Sequence, residues 1–345
     1  MTNPCSWYKD IRTDENQILS SRVRLARNIK KYPFNKKLTA AIAENMIKEA
    51  VDSVINDRSA VKDMFLNLNL HELGQAEQKV FLEKHIVSPE FIKNELPKGL
   101  LLTDDTNTGI MINEEDHIRI QTVTPGDSLA EAFDMANHID DLIEESLEYA
   151  FHSEYGYLAA CPTNTGTGLR ASYMIHLPAL EKSGQLKNIL PNLSQFGITL
   201  RGIYGEGTES MGCIYQISNQ TTLGKSERDI IQSLQSITYK VIEQENLLKD
   251  NMLNQNKADM ENNIYRAYGI LAYSRKISAK EAMELLSEIR LGYLTGLLKK
   301  ERPEKRIYQI MMEIQPGHLQ RAAGQELSEH ERDTARAEYL RGIFK

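Results

Sequence analysis

Cys161-Pro162-Thr163-Asn164-Thr165-Gly166-Thr167-Gly168-Leu169-Arg170-Ala171-Ser172 is the stretch on which the reading of this chain turns. Its glycines and small hydroxyl residues let backbone N–H groups approach an anion closely. Arg170 adds a cation just where an apolar run, Ala171 to Leu177, predicts a strand. The segment is not a Walker A loop, because G-K-[ST] is absent, and it does not spell the dinucleotide fingerprint G-x-G-x-x-G. Cys161 stays open between a catalytic thiolate, a substrate contact and a buried small residue; composition alone favours the last.

Three further segments share its mixture of cations and polar turns. In Ser20-Ser21-Arg22-Val23-Arg24-Leu25-Ala26-Arg27, an extended strand points Arg22 and Arg24 to one face. Two adjacent cations repel, so an anion is expected opposite them, unless this is a solvated edge strand. Asn113-Glu114-Glu115-Asp116-His117-Ile118-Arg119 sets three acids at the end of an apolar strand, where acids are poor strand formers. It reads either as a polar hairpin turn or as a carboxylate aimed inward, with Arg119 on the departing strand. Arg201-Gly202-Ile203-Tyr204-Gly205-Glu206-Gly207-Thr208-Glu209 reads as a loop presenting a carboxylate, or as a plain hairpin turn.

Around these segments the first 250 residues mix helix and strand signals. Thr39 to Asn56 has amphipathic helical spacing, and three short apolar or alternating runs between 100 and 123 predict strands. Ser128 with Glu131 has the form of a capping box opening a helix whose apolar spacing continues to Phe151. Strands are expected near 156–160, 171–177, 197–204 and 211–217, and a helix from Ser226 to Leu248. Residues 251–263 are polar and read as a linker or a helix start. Beyond them the chain is helical, with capping-box pairs Ser278/Glu281 and Ser328/Glu331, and breaks at Pro303 and Pro316-Gly317. Two domains are expected: 1–250, mixed α and β, and 251–345, antiparallel helices suited to self-association.

Composition closes off several functions. The 345 residues carry 41 Lys+Arg against 48 Asp+Glu, a formal net charge of -7, which argues against direct nucleic-acid binding. The longest uncharged stretches, 155–169 and 210–224, fall short of the roughly 20 apolar residues that span a bilayer. The N-terminus lacks the apolar core of a signal peptide. Three cysteines without a CxxC pair argue against a disulfide scaffold or a cysteine zinc site. A cytoplasmic chain with no metal site of its own is expected.

Together SSRVR (20–24), NEEDHIR (113–119), CPTNTGTGLRAS (161–172) and RGIYGEGTE (201–209) resemble the ATP:guanidino phosphotransferases, the phosphagen kinase family, in that family's order. The resemblance implies an α+β fold: a phosphagen-kinase-like catalytic domain, with an antiparallel sheet flanked by helices, followed by a C-terminal helical domain. Metabolic members carry a helical domain ahead of the SSRVR strand, whereas nineteen residues precede Ser20 here. A helical region after the catalytic part is similar to the bacterial protein-arginine kinase branch. Arg332-Asp333-Thr334-Ala335-Arg336-Ala337 resembles the phosphoarginine-binding motif of that branch. Spacing alone also allows a solvated helix in which Asp333 pairs Arg336.

The resemblance implies ATP with Mg²⁺. Its arginine cage maps to Arg22, Arg24, Arg119, Arg170 and Arg201, since guanidinium forks match phosphate oxygens. Nucleotide contacts map to Ser20, Ser21, Val23, His85, Ala171, Ser172, Tyr173, Met174, Gly202, Ile203, Tyr204, Gly205 and Glu206. For His85, a partly exposed helix-end histidine is the alternative. Glu115 and Glu206 are expected to orient the acceptor guanidinium and accept its proton, with Cys161 beside it as an orienting group. Without a front domain the cleft is expected to admit a protein arginine, giving phosphoarginine; a metabolic kinase acting on free arginine is the alternative. Further implied are stimulation by phosphoarginine at 332–337, a homodimer, and a role in stress regulation or Clp-dependent degradation. The implied partners are a zinc-binding activator protein, a stress-gene repressor and the Clp chaperone-protease.

Overall fold

The computed structural model describes residues 7–10, 14, 16–57, 59, 61–204 and 210–345. In chain order the elements are β1 (Ile18–Arg27), α1 (Ala40–Val54), β2 (Phe65–Leu68), α2 (Gln75–Glu83), α3 (Pro89–Lys93), β3 (Gly99–Thr103), β4 (Thr108–Ile112), β5 (Ile118–Pro125) and α4 (Leu129–Glu144). There follow β6 (Phe151–His152), β7 (Gly156–Tyr157), β8 (Leu169–His176), α5 (Pro178–Lys182), α6 (Leu186–Gln195), β9 (Ile198–Tyr204) and β10 (Ser210–Asn219). The tail is helical: α7 (Glu227–Gln255), α8 (Lys257–Tyr273), α9 (Ala279–Leu294), α10 (Ile307–Glu313), α11 (Pro316–Ala323) and α12 (Glu329–Phe344). Eight strands form a sheet in the order β2-β3-β4-β5-β1-β8-β10-β9, and β6 and β7 make a separate hairpin. This is the expected α+β architecture of an antiparallel sheet flanked by helices with a helical C-terminal region. No described helix is long and apolar enough to cross a membrane.

The described residues fall into two compact units: those at 7, 20–173 and 218–235, and those within 8–19, 174–204, 210–217 and 236–345. In the first, β2 to β5 and β1 pair antiparallel in succession. β3 and β4 are buried along their whole length, because short apolar strands with cover on both faces leave no polar side. Leu70, Ile86, Phe91, Leu100, Leu102 and Met111 form one core cluster. Arg27 is buried at the end of β1, donating from Nε (3.0 Å) and Nη2 (2.6 Å) to Asp140 of α4. Its Nη1 serves the carbonyls of Ala26 and Thr167, and its guanidinium lies 3.6 Å from the Tyr157 ring centroid.

In the second unit Glu245 of α7 accepts from the backbone N–H groups of Ala179 and Leu180, both at 2.8 Å, and so satisfies orphan donors at the start of α5. His176 is fully buried; its Nε2 lies 2.7 Å from Ser287 Oγ and its Nδ1 accepts from Arg290 Nη1 at 2.7 Å. Burial foremost, then the Arg290 and Lys182 charges, hold this imidazole well below its ordinary value.

Several boundaries differ from the sequence expectation. Ser128 caps nothing with its side chain, since its Oγ donates to Pro125 O. α4 ends at Glu144, and Phe151 enters the β6–β7 hairpin. The strand expected over 156–160 shrinks to Gly156–Tyr157. The polar stretch after 250 is helix on both sides of a single break at Asn256. Ser328 and Glu331 do form a reciprocal capping box.

Removing one partner of a buried ion pair strands the other charge. Asp140→Ala is therefore expected to lower stability by about 3–5 kcal/mol in urea denaturation. The unfolded His176 takes up a proton below about pH 6.5 that the folded imidazole refuses, so stability falls as pH drops from 6.5 toward 5. Its share of that slope approaches about 1.4 kcal/mol per pH unit. His176→Gln should flatten the slope whatever it does to stability at pH 7.

Candidate functional site

β1 shows why two arginines share a face. Its buried residues are interrupted only at Arg22 and Arg24, which stand partly open in alternation with buried Ser21, Val23 and Leu25. The register sets Arg24 opposite Gln121 and Ala26 opposite Arg119, so Arg119 is Arg24's diagonal neighbour on that face. Arg119 is likewise the partly open position near the start of β5, and Arg170 the one near the start of β8. Arg24 registers the crowding. Burial first, then the charges of Arg22, Arg119 and Arg170, push its pKa well below the ordinary guanidinium value, with Glu114 opposing. Its buried Nε has no hydrogen-bond partner among the described residues. Clustered cations with an unmet N–H donor are chemically suited to a multiply charged anion.

Neighbouring groups hold the cations in place. Arg170 Nη1 donates to Asn219 O (2.8 Å), while the Asn219 side chain accepts from Ala171 N (2.7 Å) and donates to Leu169 O (2.9 Å). Arg119 pairs closely with buried Glu114, which also receives the Ser88 hydroxyl. His85 sits just past α2 with φ 57°, fixed by Gln121 Nε2 donating to its carbonyl at 2.7 Å. Burial, Arg22 and Arg24, in that order, push its imidazole down to about 3, so it faces the cations uncharged.

The NEEDH turn divides its acids by role. Asp116 is fully buried and accepts from Asn28 Nδ2 (2.8 Å), Ala160 N (2.7 Å) and Asn164 Nδ2 (3.2 Å). It thereby ties β1, the hairpin turn and the Cys161 loop together. His117 accepts from Ile29 N on Nδ1 (3.1 Å), and its Nε2 must donate to Pro33 O (3.0 Å), because a carbonyl can only accept. Glu115 differs from both: its side chain is 47% exposed and touches Arg119 Nη2 at 3.5 Å. It is the acid of this turn that an incoming guanidinium can reach.

The Cys161 loop uses its glycines for clearance. At Gly168 (φ 64°) a Cβ would lie 2.5 Å from Ala26 O, and at Gly156 (φ 71°) 2.5 Å from Gly166 O. The loop thus packs backbone to backbone against β1 and the β6–β7 hairpin. Cys161 is half-buried, with Sγ 3.1 Å from Thr163 Oγ1.

Arg22, Arg24, Arg119, Arg170 and His85 are thus brought under one another's influence. Ser20, Ser21, Val23, Ala171, Ser172, Tyr173 and Met174 are buried parts of β1 and β8, with Ser21 Oγ donating to Gly126 O (2.7 Å). Arg201 lies exposed on β9 in the second unit, beside half-buried Gly202 and buried Ile203; Tyr204 ends that strand. Gly205 and Glu206 lie outside the described residues. On α12, Arg332 donates to Leu327 O (2.7 Å), and Thr334 Oγ1 donates to His330 O (3.0 Å). Arg336 is buried, donating to Ile314 O (3.0 Å), Ile277 O (2.9 Å) and Asp333 (2.7 Å). Ala335 is half-buried and Ala337 buried. Asp116, Asn28 and Asn219 escaped the sequence reading, although Asp116 stood inside a motif already singled out.

Comparison with known proteins agrees with this geometry. Residues 45–248 match the family model "ATP:guanido phosphotransferase, C-terminal catalytic domain", and residues 257–345 match "Protein-arginine kinase McsB C-terminal domain". The protein-arginine kinase of Halalkalibacterium halodurans is 43% identical over 340 residues, covering 98% of this chain and 95% of that one. Its counterparts in Caldanaerobacter subterraneus and Bacillus subtilis are each 41% identical, covering 95% and 97% of this chain and 96% and 92% of theirs. Among solved structures, lombricine kinase superposes with TM-score 0.61 at 24% identity over 70% of each chain. The duplicated taurocyamine kinase of Schistosoma mansoni with transition-state analogue components superposes with TM-score 0.63 at 24% identity, over 79% of this chain and 39% of that one. With more than half its length matching the family model and relatives above 40% identity along nearly all of it, this chain belongs to the ATP:guanido phosphotransferase family.

Proposed function

We propose that the chain is a protein-arginine kinase, transferring the γ-phosphate of ATP to arginine side chains of proteins. The observation that carries the reading is the crowding of Arg22, Arg119 and Arg170 around Arg24, whose buried Nε has no partner, with Glu115 open to solvent at the edge. Phosphoryl transfer asks a protein mainly for position and charge neutralisation. In this reading the four guanidinium groups of the first unit take the phosphates, and the sequence resemblance alone adds Arg201 to that role. Mg²⁺ travels with the phosphates, as it commonly does when it keeps most of its waters. A guanidinium nitrogen of the acceptor attacks Pγ, the Pγ–O bond to ADP breaks with its electron pair leaving on ADP, and the surplus proton passes to a carboxylate. Glu115 is assigned that carboxylate, with Glu206 as the second and Cys161 orienting the acceptor.

A protein acceptor, rather than free arginine, is supported by the match of residues 257–345 and by the relatives that carry the protein-arginine kinase name along their whole length. The domain division near 250, a cytoplasmic homodimer, phosphoarginine stimulation at Arg332–Ala337 and work with a zinc-binding activator, a stress-gene repressor and a Clp protease belong to the same reading, on the sequence resemblance alone.

Incubating the chain with ATP and casein, then mapping phosphoarginine by mass spectrometry under conditions that spare acid-labile P–N bonds, tests the proposal. Free arginine as sole acceptor should give far less product. Glu115→Gln should lower turnover by about 10²–10⁴-fold with ATP affinity kept. Turnover within threefold of the parent would remove Glu115 from the role of base. Arg24→Ala should weaken ATP binding by roughly 10–100-fold in calorimetry at fixed salt. Unchanged affinity would disconnect the cation cluster from the nucleotide.

A further inference from the structure

The β6–β7 hairpin carries aromatic surface that the chemistry above does not use. Phe151 is 59% exposed and Tyr155 46% exposed, and every residue from Phe151 to Tyr155 is open to solvent. The rings are braced from below. Phe151 packs edge-on to Tyr157 at 5.3 Å, Tyr157 packs edge-on to buried Tyr149 at 5.9 Å, and the Arg27 guanidinium lies 3.6 Å from the Tyr157 centroid. At the tip, His152 and Tyr155 stack at 4.8 Å, and Glu154 N donates to His152 Nδ1 at 3.2 Å. Leu223, 47% exposed, stands beside Gly166, where an added Cβ would lie 2.8 Å from the Leu223 Cα.

The patch is continuous with the Cys161 loop. Tyr157 N donates to Gly166 O (2.8 Å) and Gly166 N to Tyr157 O (3.1 Å), while Leu158 N donates to Ala150 O (2.8 Å). Ala160, whose N–H is held by Asp116, and Pro162 and Thr163 beside Cys161 are all exposed. Exposed residues therefore stand at both ends of a half-buried run, 156–159, that links the aromatic tip to the half-buried thiol. Its flank is acidic: Glu144, Glu145, Glu148 and Glu154 are exposed, and only Glu148 has a lysine partner, Lys30, in the described ion pairs.

We infer that this hairpin is a docking platform for the polypeptide around the acceptor arginine, selecting locally unfolded segments in which apolar and basic residues flank that arginine. The inference rests on the protein-arginine kinase reading for the identity of the occupant. Exposed rings take apolar side chains and the faces of guanidinium groups, and the acidic flank favours a cationic segment over an anionic one. A folded substrate presents its apolar residues inward and gives the platform nothing to hold. A free amino acid, lacking neighbours, gains nothing from it either. The platform thus discriminates among acceptors by KM rather than by the chemical step.

The test uses the full chain and the double variant Phe151→Ser/Tyr155→Ser, whose changes are at exposed positions; matching circular dichroism and urea midpoints establish that it folds. Two acceptors are compared by phosphoarginine mass spectrometry: casein, and a blocked Ala-Arg-Ala tripeptide. KM for casein should rise roughly tenfold in the variant, with kcat within twofold and the tripeptide unaffected. A fluorescein-labelled fifteen-residue peptide with arginine between leucine and lysine neighbours should lose about tenfold in affinity by anisotropy, whether or not it is phosphorylated. If the parent chain binds that peptide through the hairpin yet forms no phosphoarginine, the kinase reading falls and the docking platform stands. Equal loss on both acceptors, or no loss of peptide affinity, overturns the platform. So does a change in sedimentation coefficient of the variant, which would make the hairpin a contact between copies of this chain.

Discussion

Like charges held together against their repulsion are the constraint on which the first unit depends. Arg22, Arg119 and Arg170 crowd Arg24, and nothing about four guanidinium groups favours that arrangement until an anion arrives. The cost is met by groups that carry no net attraction for the ligand. Glu114 answers Arg119, Asn219 O answers Arg170, and the buried Arg27–Asp140 pair pins the end of the strand that carries Arg22 and Arg24. Asp116 adds a fourth brace, joining three separate segments through one carboxylate. The cluster is preorganised: its donors are held in place by these braces before any anion arrives.

Much of this was legible in the residues because it follows a short period. The two-residue spacing of Arg22 and Arg24 on a strand fixes their common face, and their alternation with buried Val23 and Leu25 agrees. The family's motifs then added Glu115, Arg119 and Arg170, which local pattern could not have joined. What stayed hidden were the hubs. Asp116 reads as one more polar residue in a turn, and Asn219 as a strand end; only the return of distant chain to each makes it structural. Glycines misled in a milder way. Gly168 suggested an anion cradle, whereas its missing Cβ is needed for close approach to Ala26 O. At helix ends the same pattern gave opposite outcomes: Ser328 with Glu331 forms the reciprocal cap, while Ser128 with Glu131 is diverted because the Ser128 hydroxyl turns to Pro125 O.

The second unit follows a different economy, with buried polar chains among helices in place of a cation cluster. His176 lies between Ser287 and Arg290, and Glu245 serves the first turn of α5. Such networks specify one arrangement of helices where apolar packing alone tolerates several. They also set the acid limit of the unit, since a neutral imidazole bonded on both nitrogens has no place for another proton.

Arg336 has a consequence of its own. Its guanidinium spans the carbonyl of Ile277, just ahead of the Ser278 cap of α9, the carbonyl of Ile314, at the end of α10, and Asp333 on its own helix. One side chain thus works as a latch across three helices. A phosphate that captured it would have to draw it off those carbonyls, and the ends of α9 and α10 would feel the loss together. The three helices are thereby geared to a single guanidinium, so none of them shifts without loosening its hold on the others.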